Sequence, residues 1–211
     1  MALAYCRRPG SMGTEEPEWR NEENCAVARK LTQNEIYYAE RIFKNGIDYN
    51  EVIIHNEPIF PFQGRQAVTP NGQIYFPTNE YLPDFGLGKD DDVSWFIHEM
   101  MHVWQYQMGY PVKLNYIFGP HNYDYELDAT KTLADYNLEQ QGDIIADYFY
   151  MKILGWQQAL RMTKYNRNDL PLYEKVLGKF LVDPKDKSSL PKSDKAKKEK
   201  AKNIQKNLYN D

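Results

Sequence analysis

The chain has 211 residues, of which 42% are hydrophobic and 27% are charged. This composition is typical of a globular protein with one domain, and it excludes a fibrous or wholly disordered chain. The net charge of −4 gives no reason to expect nucleic-acid binding, and no apolar run approaches the roughly 20 residues of a membrane-spanning helix. Because the first residues also lack the apolar stretch of a signal peptide, we expect a protein made in the cytoplasm without that export signal.

Three regions follow one another along the chain. Residues 1–21 mix glycine, proline and charged residues, which predicts a flexible N-terminal segment. Residues 22–182 contain the periodic apolar patterns and form the predicted folded domain. Residues 183–211 carry nine lysines and five acidic residues with few apolar ones, which indicates a flexible or partly helical tail.

The first half of the folded region is predicted to combine one helix with a small sheet. Apolar residues from Glu23 to Asn45 have helical spacing, with a break allowed near Thr32, and Gly46 can end the helix. Residues 51–55 and 73–77 are short β-branched or aromatic runs bounded by turn residues, which predicts two strands.

Helices dominate the rest of the domain. An aspartate at 90–92 can begin a helix through residues 93–108, which the following glycine and proline end. After a polar, tyrosine-rich connection, a second long helix is predicted to begin at Leu127 or Asp128, and shorter helices at 156–162 and 171–180. The sequence therefore predicts an α+β, mostly helical fold in which a small β-sheet precedes the helix at 93–108.

The informative motif on this helix is His98-Glu99-x-x-His102. Residues four apart project from one face of a helix, so the two imidazoles can bind one Zn²⁺. Glu99 reaches the same space from the side, where it can act as general base toward a water molecule on the ion. This pattern is the signature of zincin metallopeptidases. The alternative is a core helix with two hydrogen-bonded histidines, but its apolar flanks leave such polar groups in need of a partner.

A catalytic zinc site has three protein ligands and one open position. The longer metzincin pattern needs glycine at 105 and histidine at 108, and Gln105 and Met108 exclude it. The later helical segment at 136–149 offers carboxylates at spacings of four, and we predict Glu139 as the third ligand. Small residues on that segment, Gly142 and Ala146, would let it pack closely against the first helix.

The neighbouring carboxylates have a different predicted role. Asp143, or Asp147 in its place, would accept the remaining N–H of a liganding histidine and so fix its tautomer. Weaker candidates for the third ligand are closer to the motif in sequence: His121, Glu126 and Asp128.

The segments HEMMHVWQ and YNLEQQGDIIADYF resemble the Rhs/Vgr-associated zinc metallopeptidase domains of bacterial type VI secretion effectors and, more distantly, the gluzincins. The resemblance covers roughly Glu51 to Tyr150. It implies a zincin-like catalytic domain within residues 22–182, with His98, His102 and Glu139 as zinc ligands and Glu99 as the base. One departure from the gluzincin pattern is that Leu138 separates the asparagine from Glu139.

The same resemblance implies a biological setting. It implies an antibacterial toxin, made in a bacterial cytoplasm and delivered to the periplasm of a target cell, that cleaves a protein or peptide substrate. A secretion-machine spike protein and a cognate immunity protein would be its partners.

Two parts of the mechanism stay open at the level of sequence. The oxyanion needs a donor besides zinc, and His121, Tyr123 and Tyr125 are the candidates. An extended substrate is expected to pair with a strand edge, for which residues 73–81 are the candidate.

Two other functions fit the same residues. One is a zinc amidase or endopeptidase that acts on peptidoglycan. Incubation with purified sacculi and with unfolded protein would distinguish this enzyme from a protein-cleaving peptidase. The other is a non-catalytic binding module with a structural metal site, in which replacing Glu99 would leave function intact.

Overall fold

The computed structural model of the chain describes residues 28–60, 63–118 and 122–192. They form an α+β fold with a small sheet, as predicted. The strands are β1 (Ala28–Lys30), β2 (Ile53–His55) and β3 (Ile74–Tyr75), and the helices are α1 (Gln33–Phe43), α2 (Asp90–Gln107), α3 (Val112–Phe118), α4 (Leu138–Lys152) and α5 (Leu170–Val182).

The first predicted helix is shorter than its apolar spacing indicates. The hydroxyl of Thr32 accepts from the backbone N–H of Glu35, and the Glu35 carboxylate accepts from the N–H of Thr32. This capping box begins α1 at Gln33. The residues before it form β1 instead, which pairs antiparallel with β2. The prediction of helix at residues 28–30 was therefore wrong, and residues 23–27 lie outside the described part of the chain.

The sheet has the order β1-β2-β3, with β3 parallel to β2. The outer side of β3 is not free, because the N–H and C=O groups of Val68 bond those of Tyr75 at 3.2 and 3.0 Å. The expectation that residues 73–81 offer the substrate edge is therefore corrected. The chain reverses direction between Val68 and β3, through Gly72 with a φ of +77°. This turn places Val68 alongside β3, on the side away from β2.

The two long helices pack along each other in the centre of the molecule. α2 has three aspartates in its first turn, and their negative charges stabilise the positive N-terminal end of the helix dipole. The helix ends before Gly109, as predicted. α4 begins at Leu138 rather than at 127 or 128, because the Asn137 side chain caps it through the N–H of Gln140. The preceding residues form a single 3₁₀ turn at Leu133–Asp135.

The segment between α4 and α5 is irregular, which contradicts the helix predicted at 156–162. Gln158 and Asn166 form an antiparallel bridge, and the N–H of Ala159 donates to the carbonyl of Tyr165. The carboxylate of Asp147 on α4 also accepts hydrogen bonds from the N–H groups of Arg161 and Met162. In a helix, these N–H groups would instead donate to backbone carbonyls one turn earlier. The helix predicted at 171–180 is present as α5.

The beginning of the predicted tail packs on the helices. The indole N–H of Trp104 donates to the carbonyl of Pro184, and the Gln141 side chain donates to the carbonyl of Ser189. The folded body therefore extends at least to Lys192, whose N–H donates to the carbonyl of Ala134. The rest of that tail and the predicted N-terminal segment lie outside the described residues.

The apolar core lies between the sheet and the helices α1, α2, α4 and α5. Its largest fully buried side chains include Trp104, Phe96, Phe149 and Phe180. None of the helices in the described ranges combines the length and apolar character needed to cross a membrane.

Candidate metal centre

Three buried side chains on α2 and α4 meet at one point. The Nε2 atoms of His98 and His102 are 3.1 Å apart, and Oε2 of Glu139 lies 3.5 and 3.3 Å from them. Ligand atoms at zinc-like distances of about 2.0–2.1 Å from a tetrahedral centre are about 3.3 Å from one another. The donor set and its spacing therefore fit one tetrahedrally coordinated metal ion. Within the described ranges, this is the group of histidine, cysteine and acidic side chains that could hold a metal.

The close approach of the two helices depends on a glycine. A Cβ atom on Gly142 of α4 would lie 2.6 Å from Cε1 of His98, far inside van der Waals contact. Any side chain at this position would push against the imidazole. The sequence reasoning that Gly142 permits close packing of the helices agrees with this geometry.

Each histidine is oriented by a second hydrogen bond. Nδ1 of His98 lies 2.8 Å from Oδ1 of Asp143, and Nδ1 of His102 lies 2.9 Å from Oε1 of Gln105. The Gln105 amide N–H groups donate to the Leu138 carbonyl and to Gln141, which directs its carbonyl oxygen at the histidine. Both Nε2 atoms are thereby aimed at the shared point, the arrangement that metal-binding histidines usually show.

Arg161 adds a positive charge behind Asp143. Its Nε lies 2.7 Å from the same Oδ1 atom that contacts His98, and its Nη1 donates to Ser94. The backbone N–H of Arg161 is held in turn by Asp147. The irregular segment after α4 therefore takes part in orienting His98.

The electrostatics of the cluster favour a cation. Burial alone would lower the pKa of His98, but hydrogen bonds to Asp143 and Glu139 outweigh it and raise the pKa to about 10. Burial alone would raise the pKa of Glu139, yet the two histidines hold the pKa of this carboxyl well below its usual range. Without a metal, the cluster therefore holds a proton tightly. A metal ion that binds the same nitrogen and oxygen atoms would have to displace this proton.

A cavity of about 340 Å³ opens beside the three side chains. One wall is the segment 65–70, and α3 forms another with Val112 and Tyr116. Glu99 is only 3% exposed but lines this cavity, and one of its carboxylate oxygens accepts the Thr69 hydroxyl at 2.7 Å. A molecule in the cavity would therefore lie beside both the three potential ligands and a carboxylate that is not one of them.

The three candidate oxyanion donors differ in position. Tyr123 lines the cavity, with its ring centroid 6.4 Å from that of His98. Burial and the charges of Glu139 and Glu99 raise the pKa of Tyr123 well above its usual range, so its hydroxyl stays protonated. Tyr125 instead donates to Asp147 at 2.7 Å, contacts the Tyr173 hydroxyl and does not line the cavity. His121 lies outside the described residues.

The remaining predicted residues lie away from the cluster. Asp147 accepts from Tyr125 and from the backbone after α4, so its carboxylate is already engaged there. Glu126 is largely exposed and 3.8 Å from Lys164. Asp128 accepts from Thr130 within its own turn.

Three residues of the site have contacts that the sequence did not assign: Gln105, which was expected only to pack or hydrogen-bond near the motif, Thr69 and Arg161. Gln105 lies three positions after His102 on the same helix. Helical spacing therefore predicts its contact with the His102 ring. Thr69 and Arg161 are distant in sequence, and they reach the site only through the turn before β3 and the irregular segment after α4. No local pattern indicates either contact.

Comparisons with known proteins give two matches, whereas no protein-family model matches the chain. The chain is 42% identical over 136 residues to the type VI secretion system spike protein VgrG2b of Pseudomonas aeruginosa. This match covers 60% of the chain but only 13% of the spike protein. The chain is also similar to the solved effector domain of Pseudomonas aeruginosa VgrG2b, with a TM-score of 0.57 and 34% identity over 71% of this chain and 82% of that domain.

Proposed function

We propose that this chain, which belongs to the family of the VgrG2b effector domain and is thus a type VI secretion effector domain, is a zinc-dependent metallopeptidase of the zincin type. The observation that carries the proposal is the buried group of His98, His102 and Glu139 beside a cavity that Glu99 also lines. Three protein ligands and an adjacent carboxylate distinguish a catalytic zinc site from a structural site with four ligands.

The proposed metal follows from the donor set. Two imidazole nitrogens and one carboxylate oxygen suit zinc, and Asp143 and Gln105 hold the two buried imidazoles in position. A zinc ion bound there would polarise a carbonyl group and lower the pKa of water toward about 7.

Glu99 is the proposed general base. Its carboxylate accepts a proton from the attacking water and passes it to the nitrogen of the leaving amine. The Thr69 hydroxyl holds Oε2, which leaves Oε1 to take the proton. Burial keeps the carboxylate away from bulk water, which strengthens its interactions in the cavity.

Tyr123 is the proposed donor to the oxyanion. Of the two tyrosines among the candidates, it is the one that lines the cavity, and its raised pKa keeps the hydroxyl proton available. A hydrogen bond to developing negative charge stabilises the transition state more than the ground state.

The proposed substrate is an extended peptide that lies along residues 67–69. The backbone groups of Val68 bond Tyr75, and those of adjacent residues in an extended segment point the opposite way. Ala67 and Thr69, which line the cavity, can therefore pair with a peptide backbone.

The proposed setting rests on the spike protein relative. The domain would reach a target cell with a secretion spike and act in the periplasm of that cell, and an immunity protein would protect the producer. These partners and the compartment belong to the proposal, as does zinc itself.

The test uses the full chain loaded with zinc and compares the wild type with Glu99→Ala and His98→Ala. Unfolded protein and purified sacculi serve as substrates, and new amino termini and released peptides are measured. We expect Glu99→Ala to bind one zinc ion per chain and lose hydrolysis, and His98→Ala to lose both. Glu51→Ala, which changes an exposed glutamate, is the matched control and should behave as the wild type.

Three results would contradict the proposal in different ways. Wild-type activity in Glu99→Ala would show that Glu99 is not the general base. Failure of the wild type to bind one zinc ion per chain would contradict the proposed metal. Hydrolysis of sacculi without hydrolysis of protein would replace the peptidase by an enzyme acting on peptidoglycan.

A further inference from the structure

The hydroxyl of Thr69 meets the carboxylate of Glu99 inside the cavity. We infer that Thr69 is a positioning residue that holds Glu99 in the orientation needed to accept a proton, an inference that rests on the proposed peptidase function. Thr69 is 3% exposed, and its Oγ1 donates to Oε2 of Glu99 at 2.7 Å. Hydrogen bonds from a hydroxyl to a carboxylate are short and about twice as strong as those between neutral groups.

This hydrogen bond links parts of the chain that are 30 positions apart. Glu99 lies on α2, whereas Thr69 belongs to the segment 65–70, which lines the same cavity. The Thr69 hydroxyl gives Oε2 of Glu99 a hydrogen-bond partner outside its own helix. Without the hydroxyl, the carboxylate could rotate about its terminal torsion, which has a broad energy minimum.

The backbone around Thr69 is held on two sides. The residue before it, Val68, exchanges two hydrogen bonds with Tyr75 of β3. The turn that follows lies against α2, because a Cβ atom on Gly72 would be 2.4 Å from the ring of Tyr106. The helix that carries Glu99 therefore also supports the turn that carries its partner, so the distance between the two side chains is fixed by the fold.

The placement gives Thr69 a role that a buried structural threonine would not have. Its hydroxyl occupies Oε2 and leaves Oε1 as the oxygen that takes the proton, while its backbone lies on the proposed substrate edge. A peptide bound along residues 67–69 would then be next to a base that is already oriented. Orientation of this kind affects the rate of the chemical step more than the binding of substrate.

The experiment compares Thr69→Val, which has nearly the same shape but no hydroxyl, with Thr69→Ser, which keeps it. The matched control is Thr130→Val, because the Thr130 hydroxyl also donates to a carboxylate at 2.7 Å but lies on the exposed surface. Zinc content, kcat and KM are measured for the full chain. We expect Thr69→Val to keep its zinc and its KM and to lose about 10- to 100-fold in kcat, since one charged hydrogen bond is removed. Thr69→Ser should stay within about threefold of the wild type, and Thr130→Val should equal it.

A second measurement does not depend on hydrolysis. Thr69→Val is combined with Glu99→Ala, and the melting temperature is measured for both single variants and the double variant. We expect Thr69→Val to lower the melting temperature when Glu99 is present and not when it is absent, because the two groups interact directly. Additive effects would overturn the inference even if no substrate were found.

The kinetic results also separate this inference from the proposed function. A Thr69→Val variant with wild-type kcat would overturn the positioning role while leaving the peptidase intact. So would an equal loss in Thr69→Ser, or a loss in kcat that matches a loss of zinc. A wild type that hydrolyses nothing would instead contradict the proposed function, and the melting temperatures would still decide whether Thr69 holds Glu99.

Discussion

Replacing Gly142 by alanine tests whether the metal centre depends on the close contact between α2 and α4. The added Cβ would lie 2.6, 2.8 and 2.9 Å from Cε1, Nδ1 and Nε2 of His98. Carbon atoms in favourable contact are about 3.5–4.0 Å apart, so the ring or the helix must move by nearly 1 Å. The ring is held by Asp143 on one side and faces His102 on the other, which leaves it no free direction.

Two energies of opposite sign determine the result for Gly142→Ala. Alanine in a helix interior is favoured over glycine by about 1 kcal/mol, whereas overpacking a core costs about 1–3 kcal/mol. We therefore expect the zinc-free protein to lose up to about 2 kcal/mol. Zinc binding should weaken about 10- to 100-fold, as it does when an orienting contact of a ligand is disturbed. Hydrolysis should fall with it.

The assay is a chelator competition for zinc together with thermal unfolding of the metal-free chain. Gly178→Ala is the matched control, because Gly178 lies within α5 and a Cβ atom there would have nothing within 4 Å. That variant should become more stable by up to about 1 kcal/mol and keep its zinc affinity. If Gly142→Ala gained stability as Gly178→Ala does and bound zinc as the wild type does, the reasoning about the helix contact would be refuted.

Two further predictions concern the histidines. Gln105→Leu removes the partner of His102 Nδ1, so zinc affinity should fall about 10- to 100-fold in the same competition assay; unchanged affinity would show that Gln105 does not orient the ring. In the metal-free protein, folding raises the pKa of His98 from 6.5 to about 10, so this proton stabilises the fold fully below pH 6.5 and ceases to do so as the pH rises through about 10. The melting temperature in chelator should therefore fall over that range, and a decrease of equal size in His98→Gln would argue against this source.

The sequence predicted which side chains meet at the centre better than it predicted the contacts around them. The His98 and His102 pair and Glu99 follow from helical spacing alone, and the acids at spacings of four indicated Glu139. The choice between Asp143 and Asp147 depends on how α4 is rotated against α2, which no single helix reveals. The structure brings Asp143 to His98 and directs Asp147 toward the chain after α4.

The errors in the fold have a common cause. Apolar spacing before Thr32 and composition at 156–162 favoured helices, but capping and tertiary hydrogen bonds determined the outcome. The Thr32 capping box starts α1 only at Gln33, and Asp147 accepts hydrogen bonds from backbone groups that a helix at 156–162 would need. The exchange between Val68 and Tyr75 was likewise invisible, because strand pairing across a turn is not encoded in either short run.

The hydrogen bonds that the two imidazoles make to Asp143 and Gln105 determine the order in which the centre is assembled. Because both imidazoles are already aimed by protein groups, the entropy of ordering them is lost when the chain folds and not when an ion arrives. The tightly bound proton neutralises part of the acidic charge meanwhile. A chain organised in this way can adopt its shape before any metal ion is present and exchange the proton for the ion afterwards.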